Sequence, residues 1–463
     1  MSEQYKSRPV GGTEYSWCKA VPGGTGITVL ALHLTSPPDI PFLQNALHSL
    51  QISHPNLRSK LTFNSSSTTF SLTTPPAPHI QVHVTDHSST SQLINNTDTS
   101  SESHVTAFQA VVEHEMNKNA WVNPDGTLVE NADLLFASVY GLSESEWAVV
   151  LRIHTAACDR TGALSCLREL LGMMKRGENG GGFKEDWEVS LGIEDCVPDG
   201  KGHKPFWARG VNMLGYSLNS LRLAHLDFEN TEVSRSSELV RLKMNSDDTS
   251  RIVSGCESRG IKLCGLLEAA GLIAARSSKN LPQGQWEKYS VATLTDCRSL
   301  LDPVLTSGHV GFYHSAIVNS HDIQGGENLW ELAIRTDTAF ANAKKNNKHF
   351  SDVADLNFLM CKAIDNPGLT PSAALRTSLI SVFEDPVIEH TNHLREDIGL
   401  KDYVGCASIH GVGPSIALFD TIRDGELDCA CVYPSPLHSR KQMEDLISDM
   451  KRILLDGCKE EEA

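Results

Sequence analysis

The chain has 463 residues, 40% of them hydrophobic, and a net charge of −17. This composition can bury a large core in two domains or one double-lobed unit. The acidic balance, with no basic run, speaks against a nucleic-acid partner, although net charge says nothing about a local positive patch for an anionic ligand. Twelve cysteines are scattered along the chain. Only Cys429 and Cys431 stand close, on one face of a strand, and a zinc site calls for a second such pair. They read as buried thiols, and no metal is expected. The N-terminus shows no apolar leader and no run is long enough for a membrane span. The expectation is a soluble, cytoplasmic monomer whose sequons at Asn64 and Asn95 go unused.

In chain order, the β-branched apolar run Thr25 to Leu34 predicts a strand. Asp39 to His54 predicts an amphipathic helix, with Leu43, Ala46, Leu47 and Leu50 on one face and Pro55 as its stop. Residues 63 to 104 are rich in Ser, Thr, Asn and Pro. They predict strands at Thr68–Leu72 and Ile80–Val84 and a mobile surface insertion over Ser88 to Ser103. His79, His83 and His87 recur every four residues, which suits metal only on a helix, and Pro75, Pro76 and Pro78 argue against one there. A helix over Thr106 to Lys118 precedes an antiparallel strand pair, Leu134–Tyr140 and Trp147–Ile153. The second strand delivers His154, Thr155 and Asp159 to the start of a helix over Thr161 to Met174. Ala163, Leu164, Leu167, Leu170 and Leu171 form its apolar face.

Residues 177 to 204 are dense in Gly and acidic side chains and lack periodicity, which marks a linker between a lobe at 1–176 and a second at 205–463. In the second half, Pro205 to Leu226 is apolar enough to dock on its lobe, and Leu239 to Met244 is a strand. Asp247 is expected to cap a helix to Ser258, followed by an almost wholly apolar helix over Leu263 to Arg276. Strands follow at Ser290–Asp296 and Gly308–Asn319, then a helix over Leu329 to Asn346. Pro371 to Val382 is buried but of uncertain type. Gly405–His410, Ile416–Phe419 and Glu426–Tyr433 are the last strands, and His438 to Leu455 is the closing helix. His309, His314 and His321, spaced by five and seven, form no compact ligand set.

The stretch His154-Thr155-Ala156-Ala157-Cys158-Asp159-Arg160 resembles the His-His-x-x-x-Asp-Gly motif of the chloramphenicol acetyltransferase-like superfamily. That superfamily includes nonribosomal peptide synthetase condensation domains, alcohol acetyltransferases and plant BAHD acyltransferases. Two further runs are similar to family segments: Ala46 to Arg58, which resembles a first core motif, and Thr295-Asp-Cys-Arg298, which resembles an Asp-x-Arg segment. The BAHD Asp-Phe-Gly-Trp-Gly segment is absent, which favours the other branches. The resemblance runs from about Arg8 to Leu455. It implies an α+β fold of two lobes, each a mostly antiparallel mixed sheet with flanking helices, and an active-site channel between them. It also implies a salt bridge between Asp159 and Arg298 and a small-molecule acyl donor and acceptor. Acyl-coenzyme A would be the co-substrate, with no tightly bound cofactor.

In the family the second His is the base that takes a proton from the attacking hydroxyl or amine. Here that position is Thr155, whose hydroxyl is not basic near neutral pH. His154 is one residue away and, on a regular strand, points to the opposite face; it would serve as base only through a bulge or bend. Cys158 is either a nucleophile for a covalent acyl-enzyme or a small core residue. Arg160, at the family's glycine position, would pair with Asp159, project into the channel or lie on the surface. The catalytic candidates are therefore His154, Thr155 and Asp159. The expected activity is coenzyme-A-dependent O- or N-acyl transfer, with an inactive, ligand- or partner-binding protein as the alternative. A third possibility is a cyclisation or other proton transfer in the same pocket without an acyl donor.

Overall fold

The structure is a computed structural model that describes residues 5–97, 105–176, 189–202, 204, 223–279, 281–282, 284–391, 394 and 397–459. It divides into two compact units. Residues 177–188 of the expected linker and 205–222 of the expected docking segment lie outside the described residues. The first unit comprises Met1–Cys196 together with two later pieces, Arg298–Tyr313 and Thr391–Ser408.

Eight strands of the first unit come from the N-terminal stretch: β1 (Lys6–Pro9), β2 (Thr25–Leu34), β3 (Lys60–Asn64), β4 (Thr69–Thr74), β5 (Val82–Thr85), β6 (Ala132–Asp133), β7 (Leu135–Gly141) and β8 (Trp147–His154). A small antiparallel sheet has the order β1-β4-β3-β6. The larger sheet runs β14-β2-β8-β7-β5, where β14 (Leu400–Ile409) comes from late in the chain. Strand β8 lies antiparallel to β2 and β7, whereas β5 runs parallel to β7. Seven of the eight residues of β8 are buried, as expected of a central strand with both faces covered. The Ala107–Asn117 helix packs on β2 and β8, and the Ile40–Ser53 and Arg160–Arg176 helices pack against each other. Asp39 caps the Ile40 helix by accepting from Phe42 N at 2.9 Å, which ties up one of the free N–H groups of a helix start.

The second unit comprises Val197–Cys297, His314–His390 and Ile409–Ala463. Its strands are β9 (Ser236–Lys243), β10 (Glu287–Asp296), β11 (His314–Ile323), β12 (Ile380–Phe383), β13 (Val387–Glu389), β15 (Ile416–Arg423) and β16 (Glu426–Ser435). They form one mixed sheet, β11-β10-β12-β15-β16-β9, with β13 beside β15. The pairs β10/β12, β12/β15 and β13/β15 are parallel and the others antiparallel. The Leu263–Ser277 helix is buried along almost its whole length. It packs on the Leu329–Lys345 and Arg440–Lys459 helices and on β12. The fold class is therefore α+β, with sheets that are mixed and mostly antiparallel.

Three local expectations are corrected. Residues 88–97, expected within a mobile insertion, belong to a helix over His87–Thr97, started by Asp86, which accepts from Ser89 N at 2.7 Å; residues 98–104 lie outside the described residues. The helix expected to be capped by Asp247 is capped by Asn245, which accepts from Asp248 N at 2.8 Å, so Asp247 falls in the first turn. The strand expected from Gly308 begins only at His314, because residues 309–313 turn their backbone toward Arg298 and Asp159.

Close packing of the Leu263 helix generates a prediction. A Cβ at Gly265 would sit 2.9 Å from Asp337 Cβ and 3.2 Å from the Ala333 carbonyl, neither of them a flexible side-chain end. Gly265→Ala gains about 0.5–1 kcal/mol in helix propensity but overpacks the contact by about 1–3 kcal/mol. Urea unfolding is expected to show net destabilisation of about 1 kcal/mol; an equal or higher midpoint would show that the helices separate freely.

Candidate active-site motif

The motif lies in the first unit at the end of β8. His154 closes the strand, Thr155–Ala157 form a single 3-10 turn, and the helix begins at Arg160. Asp159 is the residue before that helix. Its carbonyl accepts the Ala163 N–H at 2.8 Å and its Oδ1 accepts the Gly162 N–H at 2.9 Å, as expected for an aspartate at a helix start. The same carboxylate receives Arg298 in a fork: Nη2 to Oδ1 and Nη1 to Oδ2, both 2.9 Å. Tyr313 N donates to Oδ2 at 2.7 Å. Four donors thus fill the four acceptor sites that a carboxylate offers.

Arg298 is equally occupied. It donates to the His309 carbonyl at 3.0 Å and the Gly311 carbonyl at 3.4 Å, and its guanidinium lies 4.9 Å from the Tyr313 ring centre. Both side chains are almost fully buried, at 3% and 1% exposure. The structure therefore brings together Asp159 and Arg298, 139 residues apart in sequence, and leaves the carboxylate no free oxygen for proton transfer. Arg160 is half-buried at the first helical position.

Thr155 and His154 face opposite ways. In the β2/β8 pairing Ile27 lies opposite His154, and paired residues share a face. Ile27 packs with Trp121 and Val21 in the core, and the His154 ring meets Trp121 edge-on, centroids 5.1 Å apart. His154 is 0% exposed. Its Nδ1 accepts the Ala156 N–H at 3.1 Å, so the neutral ring carries its hydrogen on Nε2, and that atom has no hydrogen-bond partner among the described residues. Burial alone holds its pKa down at about 3, as expected when charging means desolvation. Two residues earlier on the same face, Arg152 is paired with Glu115 at 2.9 Å. His154 is a neutral core residue that caps the turn by its ring.

On the other face, Thr155 Oγ1 donates to the Gly26 carbonyl at 2.6 Å and lies 2.9 Å from Thr28 Oγ1. Its single hydrogen is committed to the carbonyl, so Thr28 is the donor in the second contact. Gly26 has φ +93°, and a Cβ there would meet Trp17 at 2.9 Å and Thr155 Cβ at 3.3 Å. Only glycine adopts that conformation cheaply. Cys158 is buried beside Cys166, and burial pushes its thiol well above the usual range, which removes the thiolate a nucleophile requires. Gly26, Thr28 and the 309–313 backbone are the partners that sequence reasoning missed. No residue-type signal marks them, because backbone carbonyls do most of the accepting. Among the described residues no group of three or more His, Cys, Asp or Glu side chains is placed to hold a metal. Among them, too, no helix is long and apolar enough to cross a membrane.

No protein-family model matches the sequence, and no curated protein matches it. Solved structures do. A trichothecene 15-O-acetyltransferase (TRI3) from Fusarium sporotrichioides is similar at TM-score 0.72 and 11% identity, over 99% of this chain and 96% of that one. Polyketide synthase associated protein 5 from Mycobacterium tuberculosis is similar at TM-score 0.67 and 14% identity, over 98% of both chains. The chain has the chloramphenicol acetyltransferase-like fold. A cyclization-docking bidomain of the EpoB synthetase from Sorangium cellulosum is also similar, at TM-score 0.66 and 14% identity, over 98% of this chain and 85% of that one. At such identities the likeness is one of fold, and proteins with this fold carry different activities in their own names, acetyl transfer and cyclization among them.

The buried His154 carries a pH prediction. A histidine whose folded pKa is depressed binds its proton only in the unfolded chain between about pH 3 and 6.5. Its contribution is complete above pH 6.5 and is lost as pH falls toward 3, with a slope of up to about 1.4 kcal/mol per unit. Urea unfolding at pH 7 and pH 5 is expected to show a smaller loss of stability on acidification in His154→Phe than in the unaltered chain. An identical loss would mean that His154 is solvated.

Proposed function

We propose that the protein binds a small acyl donor or acceptor through this fold without general-base turnover at the motif. The observation that carries this reading is the commitment of the Thr155 hydroxyl to the Gly26 carbonyl at 2.6 Å, while His154, the one imidazole in the motif, lies in the core. A general base must reach the proton that it removes and titrate near the working pH. Thr155 fails the second condition and His154 both. Asp159, with four donors on its oxygens, holds the turn rather than moving protons.

A second reading is acyl transfer from coenzyme A to a hydroxyl or amine of a small metabolite. The intact Asp159–Arg298 scaffold and the likeness to an acetyltransferase over nearly the whole chain favour it. Positioning alone supplies substantial rate, and loss of a base costs roughly 10²–10⁴-fold rather than everything.

One experiment separates the two. Acetyl-coenzyme A is titrated into the full-length protein by calorimetry, and thiol release is followed with a panel of alcohols and amines. The proposed reading expects binding without acceptor-dependent thiol release, and a gain of release in Thr155→His. Acceptor-dependent release by the unaltered chain, insensitive to Thr155→Ala, would establish the second reading. Absence of acetyl-coenzyme A binding would contradict the second reading, and absence of binding by the alcohols and amines as well would contradict the first.

A further inference from the structure

One end of the seven-stranded sheet of the second unit gathers arginine and histidine side chains from five separate segments. The register defines that end: Ser236 of β9 pairs with Ser435 of β16, Ile380 of β12 with Ile416 of β15, and Val291 of β10 with Ile380. Arg235 immediately precedes β9, and Arg376 stands four residues before β12. His438 stands three residues after β16. His410 is tied in through Ser237, whose Oγ lies 3.0 Å from His410 Nδ1. His225 reaches the same end because its neighbour Ala224 donates to the Lys288 carbonyl at the start of β10, at 2.7 Å.

Arg376 is 3% exposed, and its hydrogen-bond partners are carbonyl oxygens: Ala374 at 2.9 Å, Ile409 at 3.1 Å, Pro414 and Gly411. Arg235 shares the Ala374 carbonyl at 2.7 Å. Among the described residues neither guanidinium has a carboxylate partner, in contrast to the buried Arg298 and Arg152 of the first unit. Burial, then the Arg235 charge, holds Arg376 down at about 9. Burial and these arginines likewise depress His410, to about 4.

The carboxylates nearby are spent or outside. Glu238 serves Tyr433 at 2.6 Å and Arg440 at 3.0 Å, Glu229 accepts from Ser439 at 2.8 Å, and Asp227 is exposed. Residues 205–222 contain no Asp or Glu, so that stretch brings no carboxylate either. Both ring nitrogens of His225 are buried without a hydrogen-bond partner among the described residues, whereas His438 Nδ1 lies 3.1 Å from Gln442 Oε1. His438 is 0% exposed, and Phe228 lies between the two rings, 5.9 Å from His225 and 5.7 Å from His438. Buried polar nitrogens left unpaired are costly, and two guanidinia without counter-charge add to that cost.

We propose that this end of the sheet is a binding site for a small oxyanion, a phosphate or carboxylate group, held by Arg235 and the His225 imidazole in the field of the buried Arg376, with His410 and His438 beside them. An oxyanion supplies the charge that the guanidinia lack and an acceptor for the one ring nitrogen of His225 that carries a hydrogen. The inference is independent of whether the motif supports acyl transfer.

The test uses the full chain with sodium phosphate and, separately, sodium acetate, each titrated at constant ionic strength set with sodium chloride. Melting temperature and calorimetric heat are recorded. The expected result is a saturable rise with at least one of the two anions, and at least about tenfold weaker binding in Arg235→Gln. Arg452→Gln, an exposed helical arginine, serves as the control and should bind as the unaltered chain does. His225→Asn, which leaves both arginines in place, should also weaken binding if Arg235→Gln proves too unstable to measure. Saturation by phosphate alone or acetate alone supports the site and identifies the group. A non-saturating response to both anions, or an equal response in Arg235→Gln and Arg452→Gln, overturns the proposal.

Discussion

The first unit depends on a carboxylate that is buried where strand β8 turns into a helix. An isolated ionised carboxylate in such a place is prohibitively costly. Asp159 is made tolerable by a forked guanidinium, two backbone N–H groups and the helix start that it caps. Because Arg298 lies 139 residues away, that requirement draws residues 298–313 into the unit. It also explains why β11 starts late: the His309 and Gly311 carbonyls and the Tyr313 N–H face the ion pair and are lost to the sheet.

The same turn assigns its successive residues to opposite faces. Successive residues at the end of a strand point to opposite faces, so a histidine at 154 and one at 155 are not interchangeable. His154 belongs to the Trp121 core, and its ring accepts the Ala156 N–H. Thr155 belongs to the face of Gly26 and Thr28, where it closes a short hydroxyl-to-carbonyl network. Nothing in the Asp159 geometry requires a histidine at 155. The turn therefore holds its shape without a titratable side chain at position 155.

Legibility followed the range of the interaction. Strand β2, the β7/β8 pair and the Ile40–Ser53 helix are readable because periodicity is local. Residue types do not distinguish the cap at Asn245 from one at Asp247, because both side chains cap well and only backbone geometry chooses between them. The His87–Thr97 helix was hidden by its Ser, Thr and Asn content, which predicts loops. The partners of Thr155 left no trace in residue types, since Gly26 contributes a carbonyl. The arginine- and histidine-bearing end of the second sheet was illegible for another reason. Its five residues come from five segments, and only strand register assembles them.

A double-mutant cycle on Asp159 and Arg298, read by urea unfolding of the full chain, tests the structural role of the ion pair most directly. Asp159→Ala and Arg298→Ala are each expected to cost about 3–5 kcal/mol, because each strands the other's charge in the interior. The double variant is then expected to lose clearly less than the sum, with a coupling of roughly 2–3 kcal/mol. Additive losses, or an Asp159→Ala variant as stable as the unaltered chain, would contradict a structure held together by this pair.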